Sequence, residues 1–329
     1  MAAPPVVDLP VADERLAEDI SAGLAAVEKQ IRSAVESEDA FVTDASKHLI
    51  EAGGKRFRAM LVLLAAQFGD PTAPGVIPGA VVMELTHVAT LYHDDVMDEA
   101  TERRGKPSAN ARYNNTVAIL TGDYVFAQAA DIMADLGPEP VRIQAKTFAR
   151  LVRGQIRETV GPAEGADPIE HYIDVLADKT GSLISTSARL GAMLAGAPHE
   201  VVLRLTSACE AIGVAFQLGD DIIDVASDVS GKTPGTDLRE GIRTLPVLYA
   251  LASTSNTDAR LRSLVSGPVP ETDIEEALEL LRASEALKMA RAELERWADR
   301  AKSQLADLPD IPARAALLSL CDFVVERSA

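Results

Sequence analysis

The chain is short of aromatic residues, cysteine and positive charge, and each shortage closes off a class of explanation. Phe, Trp and Tyr make up 4% of its 329 residues, whereas 47% are hydrophobic. The interior must therefore be aliphatic, and a chain of this length buries enough of it to fold without staples. Two cysteines, Cys209 and Cys321, cannot form a disulfide framework. Both sit in apolar helical pattern, which predicts buried thiols in a reducing cytoplasm. Lys and Arg number 32 against 50 Asp and Glu, a formal net charge of −18. That charge repels nucleic acid and anionic lipid surfaces, so neither is expected as a partner. No stretch reaches the roughly 18 uninterrupted apolar residues of a membrane helix. The opening MAAPPVVDLPVADERLAEDI lacks the basic and apolar regions of a secretory signal. The expectation is a cytoplasmic protein with no membrane span.

Alternating β-branched runs are almost absent too. Pro and Gly gather in short stretches such as GDPTAPG (69–75), GPAEGADP (161–168) and SGKTPGTD (230–237), which read as loops between helices. Long segments rich in Ala, Leu, Glu and Arg lie between them, with apolar residues every three or four positions. This pattern predicts an all-α protein. No linker and no internal repeat divides it, so one domain is expected over residues 1–329, with a flexible segment over about residues 1–15.

Acid is what the chain has, twice and in the same setting. Residues 78–99, PGAVVMELTHVATLYHDDVMDE, follow a helical pattern with Val81, Leu85, Val88 and Leu91 on one broad face. Asp94 and Asp98 are four apart, so their carboxylates project from one side, with His87 two turns back. An isolated D-D-x-x-D is ordinarily a solvated helix end, although acid at a helix C-terminus opposes the macrodipole. The second copy changes that judgement. CEAIGVAFQLGDDIIDVASD (209–228) is another apolar helix running into Asp220, Asp221 and Asp224, with Gln217 three residues before the first. Facing carboxylates would repel one another without hard cations. An all-oxygen set suits Mg²⁺, which completes its shell with water and phosphate oxygens, so a phosphorylated substrate is implied.

Basic groups complete the pattern. GGKRFR (53–58) places Lys55 and Arg58 after a Gly pair, Arg103 and Arg104 follow the first acid cluster, and Lys179 and Lys232 lie in DKTGS and SGKTPGTD. Each alone reads as a solvated surface charge. Beside two acid clusters they describe two anion sites around metal, where guanidinium forks grip diphosphate oxygens in pairs.

In their order and number, GGKRFR, ELTHVATLYHDDVMD, RRG, KTGSL, FQLGDDIID and GTDLREG followed by TLPVLYAL make the chain resemble the trans-isoprenyl diphosphate synthases over nearly its whole length, and the long-chain bacterial members in particular. The resemblance implies a single domain of helices of the isoprenoid synthase type around a deep central cavity, usually as a homodimer. It also implies the reaction, in which an allylic diphosphate ionises, isopentenyl diphosphate attacks, and a proton is lost. By the same resemblance Asp94, Asp98 and Asp220 are the main Mg²⁺ ligands, with Asp95, Asp221 and Asp224 as support or water-mediated ligands and three ions when substrate is bound. Arg103, Lys179, Gln217 and Lys232 would hold the allylic diphosphate, with Thr180 beside the carbocation. Lys55, Arg58, His87 and Arg104 would hold isopentenyl diphosphate.

Two positions depart from the family pattern: Ala59 stands where relatives carry Pro, and Ile242–Arg243 follow Gly241 where many carry Lys. Product length is expected to turn on Thr90 and Ala89, four and five residues before Asp94. Members that stop at short products tend to have a bulky aromatic there, and some carry an insertion in the acid motif; this chain has neither. A C30 to C50 all-trans product is therefore expected, of the kind that becomes a quinone side chain such as that of menaquinone. The floor of its channel is assigned to Phe148 or Leu151. Rival readings are a shorter geranylgeranyl or farnesyl product, a terpene cyclase, and a subunit of a heteromeric synthase. Glu84 and His87 form one E-x-x-H, but a di-iron site needs a second, which the chain lacks.

Overall fold

A computed structural model describes residues 13–226 and 234–328. Lys232 and residues 1–12 lie outside the described residues, and helix already begins at Glu14, inside the segment expected to be flexible. The architecture is all-α, as the composition predicts. The first helices are α1 (Glu14–Ala34), α2 (Ala40–Glu51), α3 (Phe57–Ala66) and α4 (Val76–Met97). A two-stranded hairpin follows, β1 (Glu102–Arg103) and β2 (Lys106–Pro107), then α5 (Ala109–Arg112), α6 (Asn115–Asp135) and α7 (Pro138–Val160). Next come α8 (Pro168–Leu176), a π-helical turn (Ala177–Gly181), α9 (Ser182–Leu194) and α10 (His199–Ala226). The chain ends with α11 (Thr236–Glu240), α12 (Leu245–Ala252), α13 (Ala259–Leu264), α14 (Ile274–Ala283), α15 (Glu285–Ala306) and α16 (Pro312–Glu326).

Contacts divide the chain into two compact units. The first comprises Met1–Phe148, Leu183–Thr206 and Leu308–Leu317, the second Ala149–Ser182, Ser207–Asp307 and Leu318–Ala329.

Unit one is built on α4. Asp13 caps α1, its carboxylate accepting the Leu16 N–H at 2.8 Å, and the helix buries Leu16, Ile20, Leu24, Val27 and Ile31 at three- and four-residue steps. α4 is apolar almost all round and packs chiefly on α6, then on α3 and α1. Each fully buried aliphatic side chain contributes about 1.5–3 kcal/mol. Tyr92, fully buried, pins α4 to α2 by donating its hydroxyl to Ala45 O at 2.5 Å and accepting the Leu49 N–H at 3.3 Å.

In unit two, α12 packs on α15 and α8. Cys209 and Cys321 are free and buried there, and burial pushes the Cys321 thiol up to about 12. On length and composition, α6 and α10 are apolar enough to cross a membrane, but α10 carries the second acidic motif.

Candidate active site

The first acidic motif does not run on as helix to residue 99. α4 stops at Met97 and Asp98 caps it, its N–H bonding Asp94 O at 2.8 Å. Asp94 is half-buried in the last turn, whereas the Asp98 side chain is 58% exposed. Asp95, one residue on and so about 100° round the helix, is fully buried. It accepts Arg103 Nε at 2.7 Å and the Ala109 N–H at 3.3 Å. Its oxygens thus bind α4 to the hairpin and α5. Arg103 also reaches within 4.0 Å of Asp98, so it belongs to the first acid motif electrostatically.

The arginine pair owes its geometry to the hairpin, which the all-helical reading missed. Glu102 pairs with Pro107 and Arg103 with Lys106, leaving Arg104–Gly105 as a two-residue turn with φ of 55° and 73°. Positive φ at both turn positions suits strand twist, but at Arg104 it costs a side chain some strain. The guanidinium is held by the carbonyls of Gly53 and Leu49. Gly54, at φ 149°, makes room for it: a Cβ there would stand 2.8 Å from Arg104 Nη1. The Gly pair therefore admits an arginine from the hairpin.

Arg56, Arg58, Arg103 and Arg104 all act on His87. Burial, reinforced by those charges, holds the imidazole well below its ordinary range, so His87 is neutral at physiological pH and serves as a hydrogen-bonding group. Burial also pushes Arg58 down to about 10, opposed by Glu84, and its Nε has no hydrogen-bond partner. Lys55 is exposed at the start of the same segment. Arg56 was absent from the expected site. It sits at φ 49° and grips Glu28 of α1 with two bonds, 2.8 and 3.0 Å, and Ile50 O with a third. Glu28 is 28 residues away in sequence, so only the fold reveals the pair.

Glu84, 3% exposed, accepts the Ala59 N–H at 3.0 Å and so caps α3 from α4. This is the departure from Pro given physical content, since Pro has no N–H to donate. Ala59→Pro should lower stability by about 1–3 kcal/mol, the cost of leaving a buried acceptor unmade, while turnover persists. Thermal unfolding beside steady-state kinetics measures both.

In unit two the second motif has the same internal division. Asp221, 4% exposed, accepts the Tyr172 hydroxyl at 2.6 Å, and burial raises its carboxyl well above the usual range. Asp224 accepts the N–H groups of Thr236 and Asp237, both at 3.2 Å, and so caps α11. Asp220 faces Arg327 at 3.0 Å. Lys179 and Thr180 lie on the π turn, a widened helical turn that the sequence did not disclose and that recurs at functional sites. Asp178 anchors the turn to α7 through Arg150, Arg153 and Arg157 at 2.6, 2.9 and 3.7 Å. Lys179 pairs with Glu158 at 2.5 Å, and Thr180 Oγ1 donates to Gln217 Oε1 at 3.4 Å. Arg243 donates to Ser266 O at 3.3 Å while Ile242 is 45% exposed.

Among the described residues no three His, Cys, Asp or Glu side chains already converge as a metal centre. That accords with Mg²⁺, which takes one or two carboxylates and completes its shell from water and phosphate. The carboxylates of Asp94, Asp98 and Asp220 are donors of the hard-oxygen type that such an ion takes.

The family model for polyprenyl synthetase matches residues 39–281. The chain belongs to the polyprenyl synthetase family. It is similar to the nonaprenyl diphosphate synthase of Mycobacterium tuberculosis, 50% identical over 98% of this chain and 97% of that protein. It is 38% identical to heptaprenyl diphosphate synthase component 2 of Geobacillus stearothermophilus, over 94% of this chain and 97% of that one. Among solved structures it resembles the geranylgeranyl pyrophosphate synthase of Corynebacterium glutamicum complexed with calcium and isoprenyl diphosphate. That match has a TM-score of 0.90 and 46% identity, covering 98% of this chain and 100% of that one. A family member of this fold is a trans-prenyltransferase, as the motifs implied.

Proposed function

We propose that the chain lengthens an allylic diphosphate by successive trans, head-to-tail condensations with isopentenyl diphosphate, in a Mg²⁺-dependent reaction that ends at C30 to C50. The observation that carries this reading is the cationic cluster around neutral His87, in which Arg56 is buried, Arg58 half-buried, and Lys55 and Arg104 exposed. Arg58 Nε lacks a partner there, so the cluster is built to receive an anion. A terpene cyclase has no use for it beside the two acid motifs. Lys55, Arg58, His87 and Arg104 bind isopentenyl diphosphate and orient its double bond. Arg103, Lys179, Gln217 and Lys232 hold the allylic diphosphate, with Thr180 near its reacting carbon. Asp94, Asp98 and Asp220 would hold the ions, three with substrate present, while Asp95, Asp221 and Asp224 fix the backbone that presents them. Bound Mg²⁺ supplies Lewis-acid stabilisation of the diphosphate leaving group. Departure of that group leaves an allylic cation at C1, which the isopentenyl alkene attacks. The released diphosphate takes the proton, so no protein base is assigned.

The reading requires both units to act as one catalytic domain. It includes a cytoplasmic location, consistent with free Cys209 and Cys321, and a homodimer. α6 leaves Ile119 and Leu120 exposed at 42% and 60%, an apolar face suited to a second copy. One observation favours a second reading: the Geobacillus relative is named as a component, so a heteromeric partner is the alternative. The test is incubation of the chain, purified alone, with an allylic diphosphate and isopentenyl diphosphate. Products are then dephosphorylated and resolved by length. Long products that vanish on chelation of the metal are expected. Turnover of the allylic diphosphate alone would indicate a cyclase, and silence until a second polypeptide is added would indicate a component.

A further inference from the structure

After α16 the chain lays Arg327 and Ser328 directly along the segment of α10 that leads into the second acidic motif. Arg327 Nη2 donates to Phe216 O at 2.7 Å and lies 3.0 Å from Asp220 Oδ1. Its guanidinium stands over the Phe216 ring, 4.0 Å from the centroid. Ser328 is buried, and its hydroxyl bonds Val324 O at 3.2 Å and Gly219 O at 3.4 Å. Gly219 is what allows this approach, for a Cβ there would stand 2.9 Å from Ser328 Oγ and 3.1 Å from Arg327 Nη2. The Arg327 side chain is only 18% exposed, whereas that of Asp220 is 43% exposed. The arginine is thus fixed by ring, carbonyl and packing, and the carboxylate is the more solvent-exposed partner.

We propose that Arg327 is a positioning residue that acts as the resident cation of Asp220, competing with the first divalent ion and so coupling metal loading to arrival of a diphosphate. This rests on the reading of Asp220 as a metal ligand. A fixed guanidinium 3.0 Å away both neutralises the carboxylate and repels an incoming dication. An ion carrying two charges and no anion meets that repulsion in full. A metal–diphosphate pair does not, because the anion brings its own negative charge and lets Asp220 turn to the ion. Metal alone therefore binds weakly, and metal with diphosphate binds well. The arginine remains attached to Phe216 throughout, so Asp220 returns to it after the product diphosphate leaves.

The experiment measures Mn²⁺ binding by electron paramagnetic resonance, with and without inorganic diphosphate. Variants are Arg327→Met, Arg327→Lys and Asp220→Asn, with circular dichroism to confirm folding. Arg327→Met should bind Mn²⁺ alone about two- to fivefold more tightly, the size expected of a partly exposed ion pair, and the added diphosphate should then help less than in the native chain. Arg327→Lys, which keeps the charge, should restore the weak binding. Mn²⁺ affinity in Arg327→Met no greater than in the native chain would overturn the proposal, provided Asp220→Asn weakens Mn²⁺ binding in the presence of diphosphate. If Asp220→Asn changes nothing under either condition, the reading of Asp220 as a ligand fails and takes the proposal with it. Should Arg327→Met lose its fold, Phe216→Leu keeps the arginine but removes its stacking platform, and an unchanged ratio of the two affinities there counts equally against the idea.

Discussion

Asp94→Ala and Asp220→Ala should each lower turnover by at least ~10³-fold, about 4 kcal/mol of transition-state stabilisation, with the fold intact. The structure separates these two from their neighbours. Asp94 sits in the last turn of α4 and Asp220 near the end of α10, both partly open to solvent. Acid near a helix C-terminus opposes the macrodipole, so Asp94→Ala should leave thermal stability unchanged or slightly raised, whereas Asp220→Ala removes the carboxylate paired with Arg327 and should lower it modestly. Asp95→Ala offers the contrast. That carboxylate is fully buried on Arg103 and the Ala109 N–H, so its loss should cost about 3–5 kcal/mol of stability, as for a broken buried pair. Kinetics at saturating Mg²⁺ and thermal melts of the three variants check this together. Near-native turnover in Asp94→Ala or Asp220→Ala would remove the metal role from that residue.

Ala89→Phe should shorten the main product to C15 or C20 without abolishing chemistry. One helical turn is about 5.4 Å, so a side chain five residues before Asp94 lies a little over one turn beneath the reacting carbon. Ala89 is 1% exposed and Thr90 7%, the latter tying its hydroxyl back to His87 O at 2.8 Å. In the proposed channel, the small side chains at these two positions are the hydrocarbon's way down α4. Farther along, Phe126 and Phe148 stack with centroids 4.1 Å apart, a bulky pair where the floor was assigned. A phenylalanine at 89 should plug the way above that pair at an overpacking cost of about 1–3 kcal/mol. Val88→Phe is the control, because Val88 points about 100° away and is buried in packing. A native product already at C15 or C20, or a long product unchanged in Ala89→Phe, would end the channel argument.

Much of this was legible in the sequence because helices announce themselves by period. The stripe from Leu16 to Ile31 and the apolar body of α4 need only neighbours three and four apart, and DDxxD is local by nature. What stayed hidden was not periodic. Two strands of two residues carry no period, although the Gly of RRG was a turn signal that could have marked the hairpin. The π turn at Lys179 differs from an α-helix by bond pattern rather than by residue type. The letters of D-D-x-x-D are alike, so only packing distinguishes Asp95, sealed under Arg103, from Asp94 beside it. Arg56 and Arg327 find their partners far along the chain, where sequence spacing carries no information.

On the proposed reading, in which Arg58 receives a diphosphate, its unpartnered Nε would tie the lifetime of the protein to its supply of substrate. Any ligand that binds only the native state adds RT ln(1 + [L]/Kd), about 2.7 kcal/mol at a hundredfold excess over Kd. Starvation for diphosphates would then do more than idle the chain. It would raise the fraction that unfolds and meets proteases, so that abundance follows precursor flux with no dedicated regulator.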